Sequence, residues 1–340
     1  MDEFTPRALL GVVTKRSKVS SLYLSLFFPN TYTFDKESVN LDVIEDAVDA
    51  AMFIAPEIDG QVIKTRGYET RELKPASLKP KHDVNPKKVV KRLPGEAFNG
   101  EISLADRRKA IIVQNLLDEE KAIEQTEEWM ASQACIFGEY TCEGVQFEKM
   151  NVSFGRSPEN NVVLAGAEKW DQQDKATYNP NDDITDAAAA CESGINIAIF
   201  DQKGFNLYNS FKAVKDSLET RRGSNSQLET ALKDLGKDIS IKGYIGDVMI
   251  VVYTGYRRVN GVKERYQPEN TVVLGHTDYQ GARLYGAILD DDAIEQGMSE
   301  TERFPKVYKK TGDVSRTYTM IKSAPLMATP APDEFVTLQF

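Results

Sequence analysis

Apolar positions recur at helical spacing most clearly between residues 104 and 137, and this run predicts the longest element of the chain. Ile112, Leu116, Ile123, Met130, Ala134 and Phe137 fall three, four or seven residues apart, so they share one face, with Glu and Lys expected on the other. Ser103 followed by Asp106 supplies a capping start and Gly138 the stop. At about 1.5 Å per residue such a helix reaches roughly 50 Å. It would organise a flat or elongated body rather than a compact globule.

Beyond Gly138 the pattern switches to alternation. EYTCEGVQFEKMNVSF (139–154) predicts a hairpin turning at Glu143 and Gly144. A polar stretch, 155–183, precedes a second set of elements. These are a helix over 184–193 ending at Gly194, a buried strand INIAIF (195–200), and an amphipathic helix over 205–218. A further helix runs from Ser226, whose capping box is completed by Glu229, to Gly236, and strands follow at 249–253 and 270–275. From Tyr318 the chain alternates again and is expected to return to the first body. Near the start, SSLYLSLFF (20–28) is an apolar, aromatic patch that needs cover, and 41–53 reads as a strand or helix leading into Pro56. A chain of 340 residues divides into roughly two domains. The expected class is α+β.

Charge adds what the apolar pattern lacks. The whole chain carries a net charge of −10, yet residues 61–92 (QVIKTRGYETRELKPASLKPKHDVNPKKVVKR) hold ten Lys or Arg against three acids, a net +7. Pro75, Pro80 and Pro86 rule out a helix there and disfavour a central strand, because each lacks the backbone N–H that a ladder uses. The segment reads as an extended, basic arm on an acidic body, and the acidic body of another copy is the simplest partner for it. A solvated surface loop is the plain alternative. Lys64, Arg66, Arg71, Lys74, Lys79 and Lys81 are the candidate contact residues. A sequence pI near 5.0 argues against nucleic acid as a tightly bound partner.

Catalytic chemistry is nearly absent from the pattern. The two histidines, His82 in the basic arm and His276 after a strand, stand without a nucleophile motif, and no phosphate loop, dinucleotide fingerprint or HExxH occurs. Neighbouring acids at Asp182–Asp183 and Asp290–Asp292 have the oxygen donors that a hard cation takes. Such acids more often form a solvated turn or a helix start, so no metal, cofactor or catalytic residue is assigned. Cys135, Cys142 and Cys191 lack metal spacing and read as small buried residues in a reducing compartment. The first residues carry no secretory-signal pattern, and no apolar run is long enough to span a membrane.

Several long collinear blocks carry a resemblance. They are LKPKHDVNP (78–86), GRSPENN (155–161), SFKAVKDSLETRRGSNSQLETALKDLGK (210–237), GDVMIVVYTG (246–255), TMIKSAPLM (319–327) and DEFVTLQ (333–339). Through them the chain resembles the major capsid proteins of lambda-like tailed phages, the phage capsid protein E family, over essentially its full length. The resemblance implies the Hong Kong 97-type capsid fold of tailed phages and herpesviruses. It assigns residues 1–40 to an N-terminal arm, 58–93 to an extended loop reaching over a neighbour, and 41–57 with 94–182 to a peripheral domain. Helix 104–137 would be the spine of that domain, 183–289 an axial domain, and 290–340 a return to the peripheral domain.

The implied function is that of a structural subunit, not an enzyme. It would self-assemble into hexamers and pentamers of an icosahedral procapsid in the host cytoplasm and end in the virion capsid. The implied partners are scaffold, portal and a decoration protein contacted by residues 1–18, with double-stranded DNA enclosed but not read by sequence. The readings set beside it are a cellular nanocompartment shell within the same fold and, from another class, a cytosolic metal-dependent hydrolase using the acids at 182 or 290.

Overall fold

The computed structural model describes residues 21–44, 68–91, 103–144, 147–189, 191, 194–218, 232, 236–311 and 315–340. In chain order the elements begin with helix α1 (Leu22–Phe27) and strands β1 (Asn30–Thr33), β2 (Val39–Ile44), β3 (Tyr68–Leu73) and β4 (Lys81–Val84). Helix α2 (Pro86–Val90) leads to α3 (Leu104–Phe137), then β5 (Glu139–Gly144), β6 (Phe147–Ser153) and β7 (Asn161–Val163). Helix α4 (Pro180–Ala189), β8 (Ile197–Phe200), α5 (Gln202–Tyr208) and α6 (Lys212–Ser217) follow. Next come β9 (Ile239–Ile245), β10 (Val248–Tyr253), β11 (Tyr256–Val259), β12 (Val262–Arg265), β13 (Thr271–Gly275) and β14 (Ala282–Tyr285). Helix α7 (Asp291–Glu295) and strands β15 (Phe304–Lys310), β16 (Arg316–Lys322), β17 (Pro325–Ala328) and β18 (Val336–Gln339) complete the chain.

A six-stranded mixed sheet ordered β7-β18-β13-β8-β10-β9 forms the middle of the molecule. Its central strand β8 is buried at every residue, which is why IAIF is an unbroken apolar run rather than an alternating one. Successive side chains point to opposite faces, and two separate cores result. Ile197, Ile199, Met249, Val251 and Val273 join Met130, Ala131, Ala134 and Cys135 of α3 and Tyr23, Phe27 and Phe28 of α1. Ala198, Phe200, Ile250, Val252, Val272 and Leu274 instead meet Trp170, Phe205, Tyr208, Phe211 and Phe340. The other half of α3 packs Ile111, Ile112, Leu116 and Ile123 against Val84 of β4 and Ile321 of β16.

The long helix starts on the Ser103 hydroxyl, which accepts from the Asp106 N–H, and ends at Gly138 with φ +71°. Two features make glycine necessary there. A β-carbon would be strained at that φ, and it would lie 2.4 Å from the Arg156 β-carbon. Arg156 closes the helix end by donating to the carbonyls of Ile136 (2.6 Å), Cys135 (2.9 Å) and Pro332 (3.1 Å). Gly138→Ala is expected to lower stability by about 2 kcal/mol or more, measured as a shift in the denaturation midpoint. An unchanged midpoint would show that Arg156 and the helix end accommodate a methyl group.

Several sequence expectations need correction. Pro86 begins a helix instead of preventing one, because a proline at the first helical position loses no bond and Asn85 caps the turn. The helix expected over 184–193 lies at Pro180–Ala189. The single helix expected over 205–218 is two short ones, broken where Phe211 turns into the core. Strand β5 carries on through Glu143 and Gly144, with Gly144 opposite Phe147, so the turn does not fall at those residues. The helix expected over 226–236 lies outside the described residues, apart from the buried Leu232. The C-terminal strands divide, with β16 on the long helix beside β15 and β4, and β18 in the central sheet.

Candidate functional site: carboxylates that fasten the chain to the long helix

Helix α3 was expected to turn one face of Glu and Lys to solvent. Ile112, Leu116, Ile123 and Met130 are buried on the apolar side and Phe137 is half-buried, but Glu119, Glu120, Glu127 and Glu128 are buried as well. Each pair stands at adjacent positions, and the pairs recur eight residues apart, two turns along the helix. A buried carboxylate is tolerated only when it is hydrogen-bonded or paired, so the partners of each define what the helix holds.

Glu128 holds the N-terminal segment. Its carboxylate accepts from the Tyr23 N–H (3.0 Å), the Leu24 N–H (3.0 Å) and the Tyr253 hydroxyl (2.9 Å), tying the first turn of α1 to the spine and to β10. Glu119 holds the base of the basic segment and the returning strand, accepting from Thr319 (2.7 Å) and lying 3.1 Å from His82 Nδ1. Glu120 and Glu127 share Arg303, which donates through Nε (2.9 Å) and Nη2 (2.7 Å) respectively and through Nη1 to Ser323 (3.1 Å). Four acids thus anchor α1, β4, the start of β15, and β16. All four anchored segments lie far from the helix in sequence.

Burial pushes the Glu128 carboxyl up to about 7, against the opposing pull of the Leu24 and Tyr23 N–H groups and the Tyr253 hydroxyl. Because its folded value lies above the ordinary 4.5, the native protein binds this proton more tightly than the unfolded chain. The stabilisation is fully present below pH 4.5 and is lost as pH rises through about 7. Comparing thermal melts of the protein and Glu128→Gln across that window, the variant is expected to lose about 3 kcal/mol of pH-dependent stability. Parallel pH profiles would place the titration elsewhere.

The basic segment divides at Leu73. Lys64 and Arg66 lie outside the described residues. Arg71 pairs with Leu41 in the β2–β3 ladder. Lys74 is exposed and pairs with Glu37 of its own chain at 2.5 Å. Lys79 is exposed at the edge of a cleft of about 650 Å³ lined also by Trp129, Met130, Cys142 and Phe147. Lys81 extends over the Tyr318 ring. From Leu73 to Val90 the chain therefore belongs to the body: Leu73, Pro75 and Ala76 are buried, Leu78 bridges Ser323, β4 pairs with β16, and α2 lies on α3. The placement of 58–93 as one projecting loop is corrected accordingly.

The aromatic patch has the cover that its composition calls for. Leu22, Tyr23, Leu24, Phe27 and Phe28 are buried inside their own subunit, where the Phe27 ring meets Phe335 edge-on at 4.9 Å. They need no neighbour for cover. Asp183 accepts from Trp170 and Tyr178 at 2.6 Å each. Asp290 caps α7 and pairs with Lys306 and Lys322. Burial alone would raise the Asp290 carboxyl, but those two ammonium groups hold it below the ordinary range. Both acidic clusters are thereby engaged in structural bonds.

A long helix fastened at intervals to the N-terminal segment, a loop base and C-terminal strands, beside a sheet with helices on its far face, is the architecture of a Hong Kong 97-type capsid subunit. The crystal structure of a prophage capsid protein from E. coli CFT073 has the same fold, with a TM-score of 0.81 at 27% identity over 98% of both chains. The chain belongs to the phage major capsid protein E family, whose model matches residues 5–340. It is 47% identical to the major capsid protein of Escherichia phage lambda and 48% identical to that of Escherichia phage N15, each over 339 residues covering 100% of this chain and 99% of the relative. It is a shell subunit of the tailed-phage capsid, a structural protein. Full-length kinship of this kind does not favour a cellular nanocompartment.

Proposed function

We propose that copies of this chain form hexamers and pentamers that close around scaffold and portal into an icosahedral procapsid in the host cytoplasm, and that the shell then receives double-stranded DNA and a decoration protein. In this reading the β3 strand belongs to the loop that reaches a neighbour, residues around α3 make the peripheral domain, and 183–289 the axial domain. The observation that carries it is the full-length kinship to phage head proteins. The net charge of the chain, −10, agrees with it. A net-negative inner wall also lets DNA slide instead of pinning it.

Arg66, Arg71 and Lys74 test the latch. Reversing all three to Glu is expected to leave a folded subunit that no longer builds shells in negative-stain images. A single exposed ion pair contributes only about 0–1 kcal/mol, so one substitution is expected to have a small effect, whereas the triple change repeats at every contact. Normal shells from the triple variant would remove the basic segment from the assembly contact. Residues 1–18 are proposed to contribute to the decoration-protein site, and added hydrogen-exchange protection there in decorated over undecorated shells is the expected result.

A further inference from the structure

The hairpin β11–β12 turns through Asn260 and Gly261 at φ 51° and 82°, the left-handed pair that a two-residue I′ turn uses. Its register sets Tyr256 opposite Arg265, Arg257 opposite Glu264, Arg258 opposite Lys263 and Val259 opposite Val262. Since side chains alternate, Tyr256, Arg258, Lys263 and Arg265 share one face. The other face meets the body at its base, with the Arg257 guanidinium 3.9 Å from the centre of the Trp129 ring and 2.8 Å from Glu264, and carries Val259 and Val262 at the tip. Three cations therefore stand on the first, exposed face, Lys263 with its Nζ 3.7 Å from the centre of the Tyr256 ring and Arg265 donating to the Thr254 carbonyl. Arg258 and Lys263 lie directly opposite each other, a like-charge pairing that disfavours the isolated hairpin. Neither meets an acid among the described residues, and the tip valines are 41% and 69% exposed.

A surface of opposite character lies at the other end of the central sheet. Val162, Leu164 and Leu338 form the floor of a groove of about 480 Å³, and Glu168 and Asp186 stand on its rim. Both rim carboxylates are exposed and meet no cation among the described residues. The groove occupies the β7 edge, whereas the hairpin continues from β10, next to the β9 edge. Two different, complementary surfaces on separate parts of one subunit are what a head-to-tail ring contact requires.

We propose that the β11–β12 hairpin of one subunit docks into the acidic, apolar-floored groove of the next around the ring, with the tip valines Val259 and Val262 laid on the floor and the long side chains of Arg258 and Lys263, on the opposite face, reaching Glu168 and Asp186 at the rim. This rests on the shell-subunit reading. A second copy fits better than packaged DNA, because the hairpin ends in two exposed valines and a phosphate backbone offers them nothing apolar.

Charge exchange in the full-length chain tests the docking. R258E/K263E and E168K/D186K are each expected to lower the yield of sedimenting shells by about tenfold, and all four substitutions together are expected to restore it, while circular-dichroism melting shows every variant folded. Wild-type yield from either folded double variant, or a fourfold variant that stays unassembled, would overturn the proposal. Shells of R258E/K263E that form normally but retain less DNA would assign the hairpin to nucleic acid instead and overturn it as well. If the wild-type chain itself built no shells under the same conditions, the shell-subunit reading would fail first and the docking with it.

Discussion

Arg303→Ala is expected to destabilise the subunit by about 3–5 kcal/mol, because it leaves two buried carboxylates without their shared cation. Arg303 is 8% exposed, and its guanidinium donates to Glu120 and Glu127 from opposite ends of its fork. Burial raises the Glu120 carboxyl even with the arginine present, so removing the cation increases a penalty that already exists. Replacing the triad together, as Arg303→Met with Glu120→Leu and Glu127→Leu, is expected to recover most of the loss, since nothing charged then remains unpaired. Chemical denaturation of the unassembled subunit measures both. If the single and triple variants unfold at the same midpoint, the cluster's cost lies in packing rather than in charge.

Ile123→Asp is expected to yield insoluble or degraded protein. Ile123 is 1% exposed among Ile112, Leu116, Val84 and Ile321, so the variant would bury an unpaired carboxylate where β4 and β16 meet the helix. Glu124→Ala, on a half-buried neighbouring position, is expected to change stability by less than about 1 kcal/mol. The contrast is read as soluble yield and melting temperature. Equal behaviour of the two variants would show that the helix packs in a different rotation.

The long helix was legible because its cap, stop and apolar spacing agreed with one another, and local signals of that kind need no knowledge of the rest of the chain. The central strands at 195–200, 249–253 and 270–275 were legible for the same reason: residues buried on both faces read as apolar runs. The hairpin at 256–265 carries its own local signal, an Asn-Gly pair between short strands. The buried glutamates were not legible. Periodicity assigns a Glu to solvent by default, and only the arrival of Arg303, His82, Thr319 and the N–H groups of α1 from distant parts of the chain makes burial tolerable.

The sequence by itself determined the class of this protein: its long collinear blocks, its basic segment on an acidic chain and its spine helix are properties of residue order and composition. Tertiary structure alone decided which segments stay with the subunit. SSLYLSLFF is apolar enough to seek cover anywhere, and the sheet, Glu128 and Phe335 supply that cover inside the same chain. Residues 73–90 look like part of an arm because they are basic and rich in proline, but β16 offers an edge on which they pair, and the long helix offers them an apolar face. The reason is the same in both cases: local sequence sets what a segment can bury, while the choice of partner depends on surfaces that exist only once the chain has folded.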